Sequence, residues 1–240
     1  MRTPNRKVVA IDYSDTGLGL EGRWAAVVIV DVIRSATTAI TAVTTGRRCF
    51  PVPSIEAAVP LAARLDNPLL AGELGGSMPY GFELQNSPAT ISRRKDIERP
   101  LILLSTSGTR LLHEAAQSHV TYAACLRNAT AQARHLADHE ESVLLLGAAT
   151  RGEFREEDIL CCGRIGRALV EAGYRPRDAR TEGIIEDWGA AADDAFFRSA
   201  SVTYLEATDQ RDDLDFILRH IDDLDGVFEV TGDELAMTGG

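Results

Sequence analysis

The sequence predicts an α/β protein with three layers, α/β/α, around a largely parallel or mixed sheet. Three observations carry this. Apolar runs alternate with amphipathic stretches as far as Gly173. The strongest run, WAAVVIV at 24–30, is apolar throughout, as suits a strand buried on both faces. Helix starts and stops fall between the runs, where a strand–helix alternation needs them.

Taken in order, WAAVVIV is followed by Asp31 to Arg34 and then by SATTAITAVTTG. Ser35 suits an N-cap there, Ala36, Ile40 and Val43 share one helical face, and Gly46 suits the stop. RRCFPV reads as a short strand and SIEAAVPLAARL as a helix that Pro60 must kink or restart. PLLA reads as a strand, and GELGGSMPYGFELQNSP, Gly72 to Pro88, as an irregular loop holding two glutamates. Three further pairs follow: LILLS with GTRLLHEAAQ, VTYAAC with NATAQARHLADH, and SVLLLGAA with EEDILCCGRIGRALVEAG. The whole chain, 1–240, reads as one α/β domain, with 174–240 a less distinctive part packed on it. That part offers helices at AADDAFFRSA and DLDFILRHIDD and a strand at GVFEV. Its DQRDDLD run reads as a solvated helix start, with acids favourable in the first turn.

Composition narrows the function. The 240 residues are 45% hydrophobic, sufficient for a sizeable core. A formal net charge of −11 argues against nucleic-acid binding, which needs a basic footprint. It leaves room for a small anionic ligand met by a few arginines or a cation. No apolar run is long enough to span a membrane, and the N-terminal MRTPNRKVVAIDYSD lacks the apolar stretch of a signal peptide. The four cysteines match no zinc spacing, so reduced thiols and a cytoplasmic location are expected. A homo-oligomer is compatible with all of this, and the sequence fixes no oligomeric state.

Ligands of such sheets bind beyond the carboxyl ends of the strands. The polar groups there are Asp31 with Arg34, Glu73, the run Ser105 to Thr109, Arg127 with Asn128, and Glu153 to Asp158. Carboxylates of this kind suit magnesium, which takes one or two protein carboxylates plus waters and substrate oxygens. Arg34 suits a phosphate or carboxylate, and the turn at 106–109 offers amides and hydroxyls to an anion. Each also has a plain structural reading: Asp31 as a helix cap, Thr106 to Thr109 as a capped turn, Glu156 to Asp158 as acids complementing a helix dipole. Spacing tests three known mechanisms. Asp31 lacks the second acid of D-x-D and no P-loop run exists, whereas Cys161 to Arg167 has cysteine-phosphatase spacing, inside a helical segment that would consume its amides, and stays as a competing mechanism.

VDVIRSATTAITAVTTG, AGELGG, GFELQNSP, STSGT, LRNATAQA and EEDILCCG, in this order, resemble the motifs of the 2-phosphosulfolactate phosphatase family. The resemblance implies an α/β phosphatase that uses magnesium and hydrolyses a small anionic phosphate monoester such as 2-phospho-3-sulfolactate, a step towards coenzyme M. It implies Asp31, Arg34 and Asp158 as catalytic residues. Asn86, Ser87, Thr106, Thr109 and Asn128 are implied as substrate-binding, and Asp31, Glu73, Glu157 and Asp158 as the set from which the metal is held. The chain departs from the family pattern at Ser35, at Gln85 and Ser107, and at LGAATRG, residues 146–152. Those departures motivate an alternative, a non-catalytic anion-binding or regulatory relative.

Overall fold

The computed structural model describes residues 7–14, 22–149 and 152–238. Residues 1–6 and Asp15 of the N-terminal stretch, and Thr150 and Arg151 of LGAATRG, lie outside the described residues. The strands are β1 (Val8–Ser14), β2 (Ala26–Val30), β3 (Cys49–Val52), β4 (Leu69–Gly72), β5 (Leu101–Leu104), β6 (Val120–Ala124), β7 (Ser142–Ala148), β8 (Arg175–Pro176), β9 (Val227–Thr231) and β10 (Glu234–Thr238). The helices are α1 (Ser35–Thr44), α2 (Ile55–Ala62), α3 (Pro88–Arg93), α4 (Gly108–Ala116), α5 (Ala129–His139), α6 (Glu156–Glu171), α7 (Ala179–Trp188), α8 (Ala200–Ala207) and α9 (Arg211–Arg219).

One mixed, mostly parallel sheet runs β4-β5-β3-β10-β9-β6-β2-β7-β1-β8. Strands β4, β5 and β3 form one parallel block, and β6, β2, β7, β1 and β8 another. The β9–β10 hairpin joins them, antiparallel to β6 on one side and to β3 on the other. The β10–β3 junction is a single pair, Leu235 opposite Cys49.

The continuous apolar run 26–30 is fully buried between β6 and β7, as a strand covered on both faces requires. Trp24 and Ala25 precede the strand rather than belong to it. Helix α1 is buried from Ser35 to Ala42, packed among α3, α4, β6 and β10. Two of its hydroxyls turn inward to the backbone, Thr37 to the Val32 carbonyl at 2.7 Å and Thr41 to the Thr37 carbonyl at 2.6 Å. Helix α2 carries Pro60 within it and stops at Ala62, short of the predicted Leu65.

The C-terminal part corrects two expectations. AADDAFFRSA is not a helix: residues 193–198 form turns, and Ser199 caps α8 by accepting the Val202 amide at 3.2 Å. The DQRDDLD run is only half solvated. Asp212 pairs with Arg93 at the surface, whereas Asp213 is 2% exposed and fully engaged. Strands β1, β8 and β10 and helices α3, α7 and α8 were not among the predicted elements. No helix among the described residues is long and apolar enough to cross a membrane.

Candidate active site

The ends of β2, β4, β5 and β7 meet. Asp31 follows β2, and its Oδ1 accepts the Ser35 amide at 3.0 Å while Oδ2 accepts the Ser35 hydroxyl at 2.6 Å. The departure at Ser35 therefore holds the aspartate in place. Gly108, the first residue of α4, lies against the same carboxylate: a Cβ there would sit 2.2 Å from both Asp31 Oδ2 and Ser35 Oγ. Ser107, another departure from the family pattern, donates its hydroxyl to the Ala149 carbonyl at 2.7 Å, tying the end of β5 to that of β7. Among the described residues the Ser107 and Gly108 amides have no backbone partner, as expected at a helix start.

Asp158, in the first turn of α6, accepts the Val32 amide on Oδ1 at 2.7 Å, which brings it beside Asp31. Burial raises the Asp31 carboxyl above its ordinary range. The bonds from Ser35 oppose this, Glu73 pushes it further up, and Arg34 pulls it down. Burial likewise raises Asp158 well above the carboxylate range, and the charges of Asp31 and Glu157 add to it. Two buried acids this close, one raised further by the charge of the other, share a site that holds a proton or a cation. Glu157 is fully buried, and neither carboxylate oxygen has a partner at hydrogen-bond geometry. Burial pushes it up to about 7, against the nearby hydroxyls of Ser201 and Ser199.

Arg34 is buried beside them. One amino group, Nη1, donates to Asp213 Oδ2 at 2.6 Å and to Gln210 Oε1 at 2.5 Å. Nε and Nη2 have no partner among the described residues, so one edge of the fork is anchored and the other is unused.

Glu73 follows β4 and binds the 106 turn. Oε1 accepts the Thr106 amide at 2.7 Å, and Oε2 accepts the Thr106 hydroxyl at 2.9 Å and the Gly76 amide at 2.8 Å. Thr106 Oγ1 accepts the Gly75 amide, and the Tyr204 hydroxyl donates to the Gly76 carbonyl at 2.6 Å. The glycine loop is thus stitched down at both sides. Gly75 and Gly76 take φ of 58° and 86°, the left-handed region that favours glycine.

At the other end of the loop, Ser87 caps α3 by accepting the Thr90 amide and donates to Asp213 Oδ1 at 2.6 Å. Asn86 and the neighbouring Gln85 each leave a buried side-chain carbonyl oxygen unpartnered. Thr109 and Asn128 are turned inward. The Thr109 hydroxyl accepts the Ser105 amide at 2.8 Å, and Asn128 Oδ1 accepts the Cys125 amide at 3.0 Å, both in fully buried positions. Arg127 is spent on Asp223 and on Thr41 of α1.

Asp31, Arg34, Glu73, Ser87, Thr106 and Asp158 therefore gather around one place, whereas Thr109 and Asn128 hold strand ends in shape. Among the described residues no three acidic, histidine or cysteine side chains form a ready cation cage. Asp213 and Gln210 were missed. The available signal was spacing: Asp213, Leu214 and Ile217 share the buried face of α9. The cysteine-phosphatase spacing at Cys161 is coincidental, since Cys161 is buried inside α6 and burial holds its thiol well above the usual range. An open cavity of about 310 Å³ lies elsewhere, by Asp12, Arg177 and Arg180, and contains none of these residues.

The fold and the site define an α/β protein with buried acids and an arginine grouped where strands end. The profile of the family described as 2-phosphosulpholactate phosphatase matches residues 17–232, and the chain belongs to that family. Relatives named probable 2-phosphosulfolactate phosphatase include one from Symbiobacterium thermophilum, 38% identical over 171 residues, covering 69% of this chain and 71% of the relative. One from Pseudothermotoga lettingae is 38% identical over 138 residues, covering 58% and 59%. One from Carboxydothermus hydrogenoformans is 37% identical over 147 residues, covering 61% of each. The chain thus spans about six tenths of the length of several relatives that it matches.

Proposed function

We propose that the protein is a phosphoric monoester hydrolase acting on a small anionic phosphate ester such as 2-phospho-3-sulfolactate, with magnesium as its cofactor. The observation that carries this is the juxtaposition of two buried acids, Asp31 and Asp158, with a guanidinium whose outer edge is unused. Phosphatase names on the relatives support the reaction class.

The residues fit a magnesium ion. Asp31 and Asp158 are hard oxygen donors crowded enough to want a cation, and two carboxylates with water completing the shell are what magnesium takes. Glu157, with both oxygens unpartnered, is the next donor, while Glu73 is occupied by the 106 turn. Bound there, the ion would neutralise phosphoryl oxygens. Arg34 binds the phosphoryl group through Nε and Nη2, and the amides at the start of α4, which lack a backbone partner among the described residues, donate to its remaining oxygens. The oxygen of the attacking water bonds to phosphorus as Asp158 takes its proton, the phosphorus–ester oxygen bond breaks, and Asp158 passes that proton to the leaving alkoxide. The products are the free alcohol and phosphate.

The test is phosphate release from a panel of small anionic monoesters, with magnesium and after EDTA treatment. Release that stops with EDTA and returns with magnesium is expected, together with at least a hundredfold loss in Arg34→Ala. Full turnover in EDTA would refute the metal, and ester binding without release would favour a non-catalytic anion-binding protein. The unpartnered oxygen of Gln85, where the family pattern has glycine, is the feature that favours that second reading.

A further inference from the structure

We propose that Asp213 is a positioning residue that sets the phosphate-binding edge of Arg34 and couples it to the end of the 72–88 loop. This rests on the reading of Arg34 as the anion-binding group. Asp213 is the third residue of α9, far from Arg34 in sequence, and almost fully buried. Its two oxygens face two parts of the site. Oδ2 takes Arg34 Nη1 at 2.6 Å, while Oδ1 takes the Ser87 hydroxyl at 2.6 Å and the Ala89 amide at 3.1 Å.

An arginine side chain is long and rotamer-rich, so a guanidinium must be fixed before it can offer a fork to an anion. Asp213 and Gln210 hold Nη1, which orients the plane and leaves Nε and Nη2 pointing the other way. A buried arginine also needs a counter-charge when no anion is bound, and Asp213 supplies it. The same carboxylate fastens the start of α3, so Arg34 and Ser87 move together or not at all. The feature is specific to Asp213: its neighbour Asp212 spends its carboxylate on Arg93 at the surface.

The experiment measures binding of inorganic phosphate by calorimetry, kinetics with a small phosphate ester, and the thermal midpoint. The magnesium-loaded full chain is used, as wild type, Asp213→Asn, Asp213→Glu, Arg34→Ala and the double variant Asp213→Asn/Arg34→Ala. Asp213→Asn is expected to weaken phosphate binding and kcat/KM about 10- to 100-fold. Asp213→Glu should recover part of the loss. In the double variant Asp213→Asn should add less than twofold to Arg34→Ala, because its effect runs through the arginine. Additive losses would overturn the proposal. So would a lowered midpoint with unchanged phosphate affinity, which is a structural role alone. If wild type hydrolyses no ester but Asp213→Asn still weakens phosphate binding, the phosphatase reading falls and the positioning role stands. If wild type binds no phosphate, both fall.

Discussion

Gly108→Ala sets two effects of opposite sign against each other. Gly108 opens α4 and does not lie in the left-handed region, so the backbone accepts alanine there. Helix preference alone would then favour the variant by roughly 0.5–1 kcal/mol. Packing says otherwise. The added carbon would lie 2.2 Å from Asp31 Oδ2 and from Ser35 Oγ, where ordinary contact begins at 3.4 Å. The shortfall is 3.4 − 2.2 = 1.2 Å on each. Both atoms are already bonded to each other at 2.6 Å, so neither yields alone. Overpacking of this kind costs about 1–3 kcal/mol, and loosening a hydrogen bond to a charged group about 1.5–3 kcal/mol. The net expectation is a loss of roughly 1.5–5.5 kcal/mol, and a displacement of Asp31 near 1 Å lowers turnover about a hundredfold. Urea unfolding and phosphate release measure the two. Gly183→Ala in α7 is the control: nothing lies within 4 Å of its added carbon, so it should stabilise by roughly 0.5–1 kcal/mol. A Gly108→Ala variant with unchanged midpoint and turnover would refute the reasoning.

Three further outcomes are expected. Glu73→Ala removes the acceptor for three donors, and hydrogen exchange at the Gly76 and Thr106 amides should rise while the core strands stay protected; unchanged exchange would show the loop is held otherwise. Cys161→Ala should keep full turnover, because the buried thiol has no part in the chemistry, and loss of activity in a folded variant would restore the thiolate mechanism. In EDTA-treated protein, stability should fall as pH rises from about 4.5 to about 7. The folded state keeps a proton on Glu157 there that the unfolded chain has released, so the unfolded state binds fewer protons. Glu157→Gln should reduce that slope when melting temperature is followed against pH, leaving the part due to Asp31 and Asp158, and a wild-type slope in the variant would place the proton elsewhere.

Much of this was legible because local pattern and final environment agree. The run 26–30 is apolar at every position and ends up covered on both faces. Asp31, Arg34, Glu73 and Asp158 were legible as polar groups at strand ends. What escaped depended on distant partners. Strand β1 reads VVAIDYS, mixed in polarity, and its place is fixed by pairing with β7. AADDAFFRSA reads as a helix, yet Phe196 is buried and Phe197 exposed in a turn, and Ser199 caps the next helix. Asp213 sat in an acidic run whose charge suggested water. Spacing with Leu214 and Ile217 places Asp213 on a buried face, but it does not name the partner, because Arg34 lies in another part of the chain.

The β9–β10 hairpin carries a consequence for how the molecule is made. Its residues, 227 to 238, stand between two blocks that are complete in sequence long before them. On the ribosome, the segments for β3 to β5 and for β2, β6 and β7 emerge first, each with a central edge lacking its neighbour. Only when residue 238 has cleared the exit tunnel can that gap close. Until then the nascent chain exposes two open sheet edges, one beside β3 and one beside β6, and these are where a chaperone would be needed or a wrong pairing would begin.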